Sequence, residues 1–158
     1  MDKNIRQELF EPDLIFIEDI KYKDEVFEKI SKKLLKKGVV KETYIQALKK
    51  RENEFPTGIN LSVVAENIPN IAIPHTESGF CNDTKVVLVK LKNKITFKDM
   101  MNPSKDLDVK YLFMILNKEG SEQSHILSYI MSFVTNKENM YKLEKAKTLK
   151  ELYNIVKY

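Results

Sequence analysis

Ile71-Ala-Ile-Pro-His-Thr76, preceded by Arg51-Glu-Asn-Glu-Phe-Pro-Thr-Gly-Ile59, is the stretch on which the fold and the chemistry both turn. An apolar run ends on Pro74, and the next residue, His75, is one of only two histidines in the chain. Proline fixes its own φ and pushes the residue before it toward extended geometry, so Ile73 reads as the end of a strand. A strand that ends on Pro-His carries an imidazole to the rim of a sheet, where solvent and partners reach it. The same local pattern also fits a surface-loop histidine without a role.

Working outward, Leu14–Ile17 reads as a short strand after Pro12. Residues 23–37 read as an amphipathic helix, with Val26, Phe27, Ile30, Leu34 and Leu35 on one face and Gly38 as its stop. Residues 41–53 predict a second helix with Tyr44, Ile45 and Leu48 inward, ended by Pro56 and Gly58. Residues 59–64 and 70–74 are strand candidates, and 79–83 a loop. Lys85–Lys92 alternates cleanly: Val87, Val89 and Leu91 share one face, Val86, Leu88 and Lys90 the other. Ile95–Phe97 reads as another short strand, 100–106 as loop, and Val109–Leu116 as a strand buried on both faces. Ser121 reads as the N-cap of a helix, followed by helices over 137–146 and 149–156 with Thr148 capping the last. Helices, then strands, then helices predict an α/β fold: one single-domain sandwich over residues 1–158, a central mixed β-sheet flanked by helices.

The totals narrow the function. Hydrophobic residues make up 42% and charged residues 32%, an ordinary globular balance. No apolar run approaches the roughly 20 residues that span a membrane, and no apolar h-region follows Met1. Cys81 is the only cysteine, which excludes an intramolecular disulfide and fits a reducing, cytoplasmic setting. The net charge of +4 comes from lysines spread along helices, the pattern of a solvated face rather than a nucleic-acid patch. Arginine occurs only at Arg6 and Arg51, the latter inside the motif-bearing segment. Neither a P-loop nor a GxGxxG is present, and His75 with Cys81 is a thin start for a metal or a thiol nucleophile.

Lys37-Gly-Val-Val40, Ala47-Leu-Lys-Lys-Arg-Glu52, Phe55-Pro-Thr-Gly-Ile59 and Ala72-Ile-Pro-His-Thr76, in that order, resemble the IIA component of the bacterial sugar phosphotransferase system, in its fructose–mannitol superfamily and nearest its galactitol-type branch. A weaker likeness continues through Ser121-Glu-Gln-Ser-His-Ile-Leu127. The resemblance implies a cytoplasmic phosphocarrier that needs no cofactor and no metal. His75 would take a phosphoryl group on Nε2 from the histidine phosphocarrier protein and pass it to a cysteine of a IIB component serving a membrane IIC component. Arg51 would bind phosphoryl oxygens, and His125 would stabilise the transferring group. A place in the first turn of a helix suits His125 to that task, because backbone N–H groups and the positive end of the helix dipole favour anions there. Thr57 and Thr76 are candidate hydroxyl donors to the phosphate or to the His75 ring, with turn and strand-end roles as the plain alternative. Glu77, two residues past His75, either raises imidazole basicity or repels phosphate; both readings stay open. The superfamily also has a nitrogen-regulatory branch, which signals by phosphorylation without transport, and sugar choice belongs to the membrane component.

Overall fold

The computed structural model describes residues 8–157. A turn of 3-10 helix at Pro12–Leu14 leads into β1 (Ile15–Glu18), followed by α1 (Lys23–Lys36), α2 (Tyr44–Glu54), β2 (Gly58–Ile59), β3 (Asn70–Ala72), β4 (Lys85–Lys98), β5 (Asp106–Leu116), α3 (Gln123–Val134), α4 (Lys137–Lys145) and α5 (Leu149–Val156). The strands form one mixed sheet in the order β1-β4-β5-β3-β2. β1 is parallel to β4, β4 antiparallel to β5, β5 parallel to β3, and β3 antiparallel to β2.

The alternation in β4 sorts the two cores. Val87, Val89 and Leu91 point to the face covered by Phe27, Ile30 and Leu34 of α1 and by Leu48 of α2. Val86 and Leu88 point to the opposite face, under Ile126 and Ile130 of α3, Leu143 of α4 and Leu152 of α5. β5 divides the same way, with Leu112, Met114 and Leu116 on the first face and Tyr111, Phe113 and Ile115 on the second. A sheet covered on both sides explains why residues 109–116 are almost wholly apolar. Lys90 interrupts the apolar face for a structural reason. Its Nζ donates to the carbonyls of Leu143 and Ala146 at 2.7 Å each and of Glu144 at 3.2 Å, closing the end of α4 against the sheet.

Several boundaries differ from the sequence reading. Residues 85–92 and 95–97 belong to one strand: β4 continues through a bulge in which residues 91–94 stand opposite Lys110 of β5. β5 starts at Asp106 rather than Val109, because Asp106 pairs with Lys98. Of residues 59–64 only Ile59 is in a strand; Leu61 to Val64 form a turn, with Asn70 Oδ1 accepting the Leu61 N–H at 2.9 Å. α3 is capped at Glu122 rather than Ser121, without a side-chain cap bond. Leu35 is 41% exposed, off the buried stripe, and Ile45 is half-buried. The cap at Thr148 is as expected, its side chain accepting the Glu151 N–H. Gly38, at φ 76°, ends the α1 segment as its sequence position implies.

Two backbone approaches position the site. The 79–83 loop pairs with the link between α1 and α2: Lys41 N–H donates to Phe80 O at 3.0 Å and Asn82 N–H to Val39 O at 2.8 Å. This brings the residues after His75 alongside α2. At the other edge, Gly58 lies against the β4–β5 connection, and Met100 N–H donates to its carbonyl at 2.8 Å. A Cβ at Gly58 would sit 2.5 Å from the Lys98 carbonyl oxygen, so only glycine fits. Gly58→Ala should therefore lower unfolding free energy by about 1–3 kcal/mol, the range for overpacking against an unyielding neighbour. Urea denaturation with an unchanged m-value would register that loss, and an unaltered midpoint would count against the close approach.

Candidate functional site

The Pro-His element works as a strand end in a particular way. After Ala72, Ile73 N–H donates to the Thr57 carbonyl at 3.2 Å. Pro74 has no N–H to give, but its carbonyl accepts from Ile115 N–H at 3.1 Å, and His75 pairs once with Ile115 of β5. His75 thus sits just beyond the carboxyl end of β3, beside the carboxyl end of the parallel neighbour β5. The chain leaving β5 turns through Asn117, whose side chain accepts the Gly120 N–H at 3.0 Å and donates to Gln123 at 3.3 Å, into α3. Binding at strand carboxyl ends is the common arrangement in open α/β sheets.

The ring of His75 is half-buried and oriented. Its Nδ1 lies 2.7 Å from the backbone carbonyl of Ile73. A carbonyl only accepts, so Nδ1 carries the proton and Nε2 keeps the lone pair. Burial pushes the His75 pKa below the ordinary imidazole value. The Ile73 bond opposes that shift, and the nearby Arg51 charge adds to it. The site therefore holds a neutral imidazole with a defined free nitrogen.

Arg51 stands in the last turn of α2, its guanidinium over the Phe55 ring at 4.4 Å and its Nη1 3.4 Å from Glu77 Oε1. Its Nε is buried with no hydrogen-bond partner. Arg51, Lys50, Glu54, Glu77 and Phe80 line an open cleft of about 340 Å³. Ile59, Ile73, Met100, Met101, Leu127 and Met131 line a separate apolar groove of about 380 Å³.

For the two threonines, a donor role at the site and a turn or strand-end role were both open. Thr57 is 3% exposed, and both its N–H and its hydroxyl donate to Glu52, at 2.8 and 2.6 Å. Thr76 is buried, and its hydroxyl donates to the Glu77 carbonyl at 2.9 Å. Their hydrogens are committed within the protein, so both residues shape loops around His75 rather than present free donors. Glu52 is the residue that sequence reasoning missed. It was legible only as half of an Arg-Glu pair, yet its 2%-exposed carboxylate pins the Pro-Thr-Gly turn. Burial pushes the Glu52 carboxyl up, and the two Thr57 bonds pull it back. The available signal was a carboxylate five residues before a threonine in a tight turn. His125 occupies the first turn of α3; it is 74% exposed, and its Nδ1 lies 3.3 Å from Glu122 Oε2. Among the described residues no group of three or more His, Cys, Asp or Glu converges on a metal site, and no helix is long and apolar enough to cross a membrane.

The fold is α/β, a mixed five-stranded sheet with helices packed on both faces and the His75 ring held just past the end of β3. The chain belongs to the family described as phosphoenolpyruvate-dependent sugar phosphotransferase system, EIIA 2, whose model matches residues 8–158. It is 34% identical over 105 residues to the galactitol-specific EIIA component of Escherichia coli, a match covering 66% of this chain and 66% of that relative's length. Its fold is similar to the enzyme IIA-Mtl structure in complex with phosphorylated enzyme IIB-Mtl from Escherichia coli (TM-score 0.74, 18% identity, 93% of this chain and 96% of that one). It is also similar to nitrogen regulatory protein IIA-Ntr from Neisseria meningitidis (TM-score 0.66, 17% identity, 97% and 99% covered).

Two measurements check this geometry. In an NMR titration His75 should have its midpoint below 6.5, the unperturbed value. The sign for stability follows: the unfolded chain takes that proton first, so the folded state loses stability as pH falls below 6.5. A midpoint at or above that value would contradict the desolvated ring. Glu52→Ala leaves two buried Thr57 donors unpaired and should cost about 1–3 kcal/mol for each, read from chemical denaturation; a neutral effect would remove Glu52 from its pinning role.

Proposed function

We propose that this protein is a phosphocarrier whose His75 accepts a phosphoryl group from the phosphorylated histidine phosphocarrier protein and delivers it to a IIB component. The observation that carries the reading is the Nδ1 contact with the Ile73 carbonyl, which leaves Nε2 as the free nucleophile beside Arg51. In the transfer, the Nε2 lone pair forms the new P–N bond as the bond to the donor imidazole breaks, and the donor ring leaves with that electron pair. His75 keeps its Nδ1 proton, and the positive charge that develops on the ring strengthens the bond to Ile73. The onward step reverses this: a thiolate of the IIB component attacks phosphorus, and His75 departs as neutral imidazole. Phosphoryl transfer of this kind depends on positioning and on charge around the equatorial oxygens. Arg51 supplies charge and a planar fork for two of those oxygens. His125, exposed at the start of α3, donates a hydrogen bond to the transferring group from an α-helix end that itself favours anions.

The apolar groove lined by methionines lies between Ile73, just before His75, and Leu127, just after His125. Exposed apolar surface of this kind, with adaptable methionine side chains, suits docking of the two protein partners in turn. The galactitol-type relative supports uptake of galactitol or a related polyol as the purpose, and the single cysteine, Cys81, fits the cytoplasm as the place. A regulatory role without transport has the support of fold alone, through IIA-Ntr; phosphoryl delivery to a cognate IIB component separates the two readings.

Incubation with labelled phosphoenolpyruvate, enzyme I and the phosphocarrier should give acid-labile, base-stable label on the wild type and none on a folded His75→Ala variant. Label persisting on that variant would sink the assignment. His125→Ala should still take label, but more slowly by about 10²-fold, within the range for a positioned proton-donating side chain; an unchanged rate would return His125 to the ordinary surface.

A further inference from the structure

We propose that Glu77 is a stand-in anion: in the unphosphorylated protein its carboxylate holds the face of Arg51 that the phosphoryl group takes over, and this exchange governs how readily His75 is loaded. The inference rests on the phosphocarrier reading above and deepens it. The contact itself is a replaceable one. Arg51 and Glu77 meet through a single pair of atoms, Nη1 and Oε1, at 3.4 Å, with Glu77 76% exposed. A guanidinium can offer two parallel N–H donors to one anion, and here that capacity is unfilled. The Nε–H is buried and has no partner. A carboxylate that left Nε unpaired in the interior is a poor final partner for Arg51; an anion that reached both Nε and Nη would be a better one.

Arg51 does not depend on Glu77 for its position. Its guanidinium packs over Phe55 at 4.4 Å, and its own carbonyl accepts the Phe55 N–H at 2.8 Å, which closes the end of α2. Loss of the ion pair therefore leaves the arginine in place. The backbone of Glu77 is also held independently, because the buried Thr76 hydroxyl donates to the Glu77 carbonyl at 2.9 Å. Only the exposed carboxylate arm is left to swing. The Glu77 carboxylate pairs with the guanidinium whose charge acts on His75, so a phosphoryl group arriving at Nε2 meets its negative charge as well as the Arg51 cation. Displacing the arm moves that repulsion away from the site and frees the guanidinium fork. Of the two readings of Glu77 open from sequence, the geometry favours opposition to phosphate, relieved by exchange on Arg51.

The test is single-turnover phosphorylation of wild type, Glu77→Gln, Arg51→Lys and the double variant by the purified phosphorylated phosphocarrier, at low and high salt. Glutamine keeps the shape of the side chain and removes its charge, and the exposed site leaves folding undisturbed. Loading of Glu77→Gln should be about two- to fivefold faster than wild type, the factor expected for a weak, partly exposed ion pair. The gain should shrink at high salt and vanish in the Arg51→Lys background, a coupling that a loop-shaping role for Glu77 would not produce. If wild type is labelled but Glu77→Gln is unchanged or slower, the stand-in role is overturned and the phosphocarrier reading survives. If the gain persists with Arg51→Lys, Glu77 acts by direct repulsion alone and the exchange on Arg51 is wrong. If wild type takes no label while the donor is visibly phosphorylated, both readings fall together.

Discussion

Everything at the site depends on one hydrogen bond, from His75 Nδ1 to the Ile73 carbonyl at 2.7 Å. It orients the ring, assigns the tautomer and leaves a single nitrogen with a lone pair. The segment Ile73-Pro-His75 that makes this bond is held by two neighbours. Thr57 takes the Ile73 N–H on one side, and Ile115 of β5 donates to the Pro74 carbonyl on the other. Thr57 is in turn pinned by the buried Glu52. A chain of contacts thus runs from the end of α2, through the Pro-Thr-Gly turn, to the imidazole. The arginine at one end and the histidine at the other share one support.

The electrostatics follow from this arrangement. Burial favours the neutral ring, and Arg51 favours it further. In the proposed transfer both effects keep the attacking lone pair free, and the same arginine would meet the anion that His75 accepts. Positive charge near a histidine lowers its basicity before the reaction and stabilises its product afterwards. In the proposed transfer the charge beside His75 comes from a side chain that never loses its proton.

The large apolar elements were legible in the sequence because periodicity reports burial directly. The alternation of residues 85–92 matched the two cores residue by residue, and the apolar run at 109–116 matched a strand covered on both faces. Boundaries were less legible where long-range pairing overrode local signals. The bulge that joins residues 85–92 to 95–97 is set by β5, and the Asp106 start by pairing with Lys98. In the site, His75 and Arg51 stood out by rarity and by their motif neighbours. Glu52 did not, because a buried carboxylate looks like any other acid until its partners are known. Thr57 and Thr76 stayed open between donor and structural roles for the converse reason: their acceptors lie in the backbone and in Glu52, invisible to a reading of residue types.

The central claim is that His75 Nε2, and not Nδ1, carries the phosphoryl group. The most direct test is long-range proton–nitrogen NMR of the phosphorylated protein, with nitrogen-15 in the imidazole and phosphorus coupling resolved. The account predicts phosphorus coupled to Nε2 and a proton retained on Nδ1, shifted by its bond to the Ile73 carbonyl. Phosphorus on Nδ1, or a ring whose Nδ1 proton is lost on phosphorylation, would contradict it.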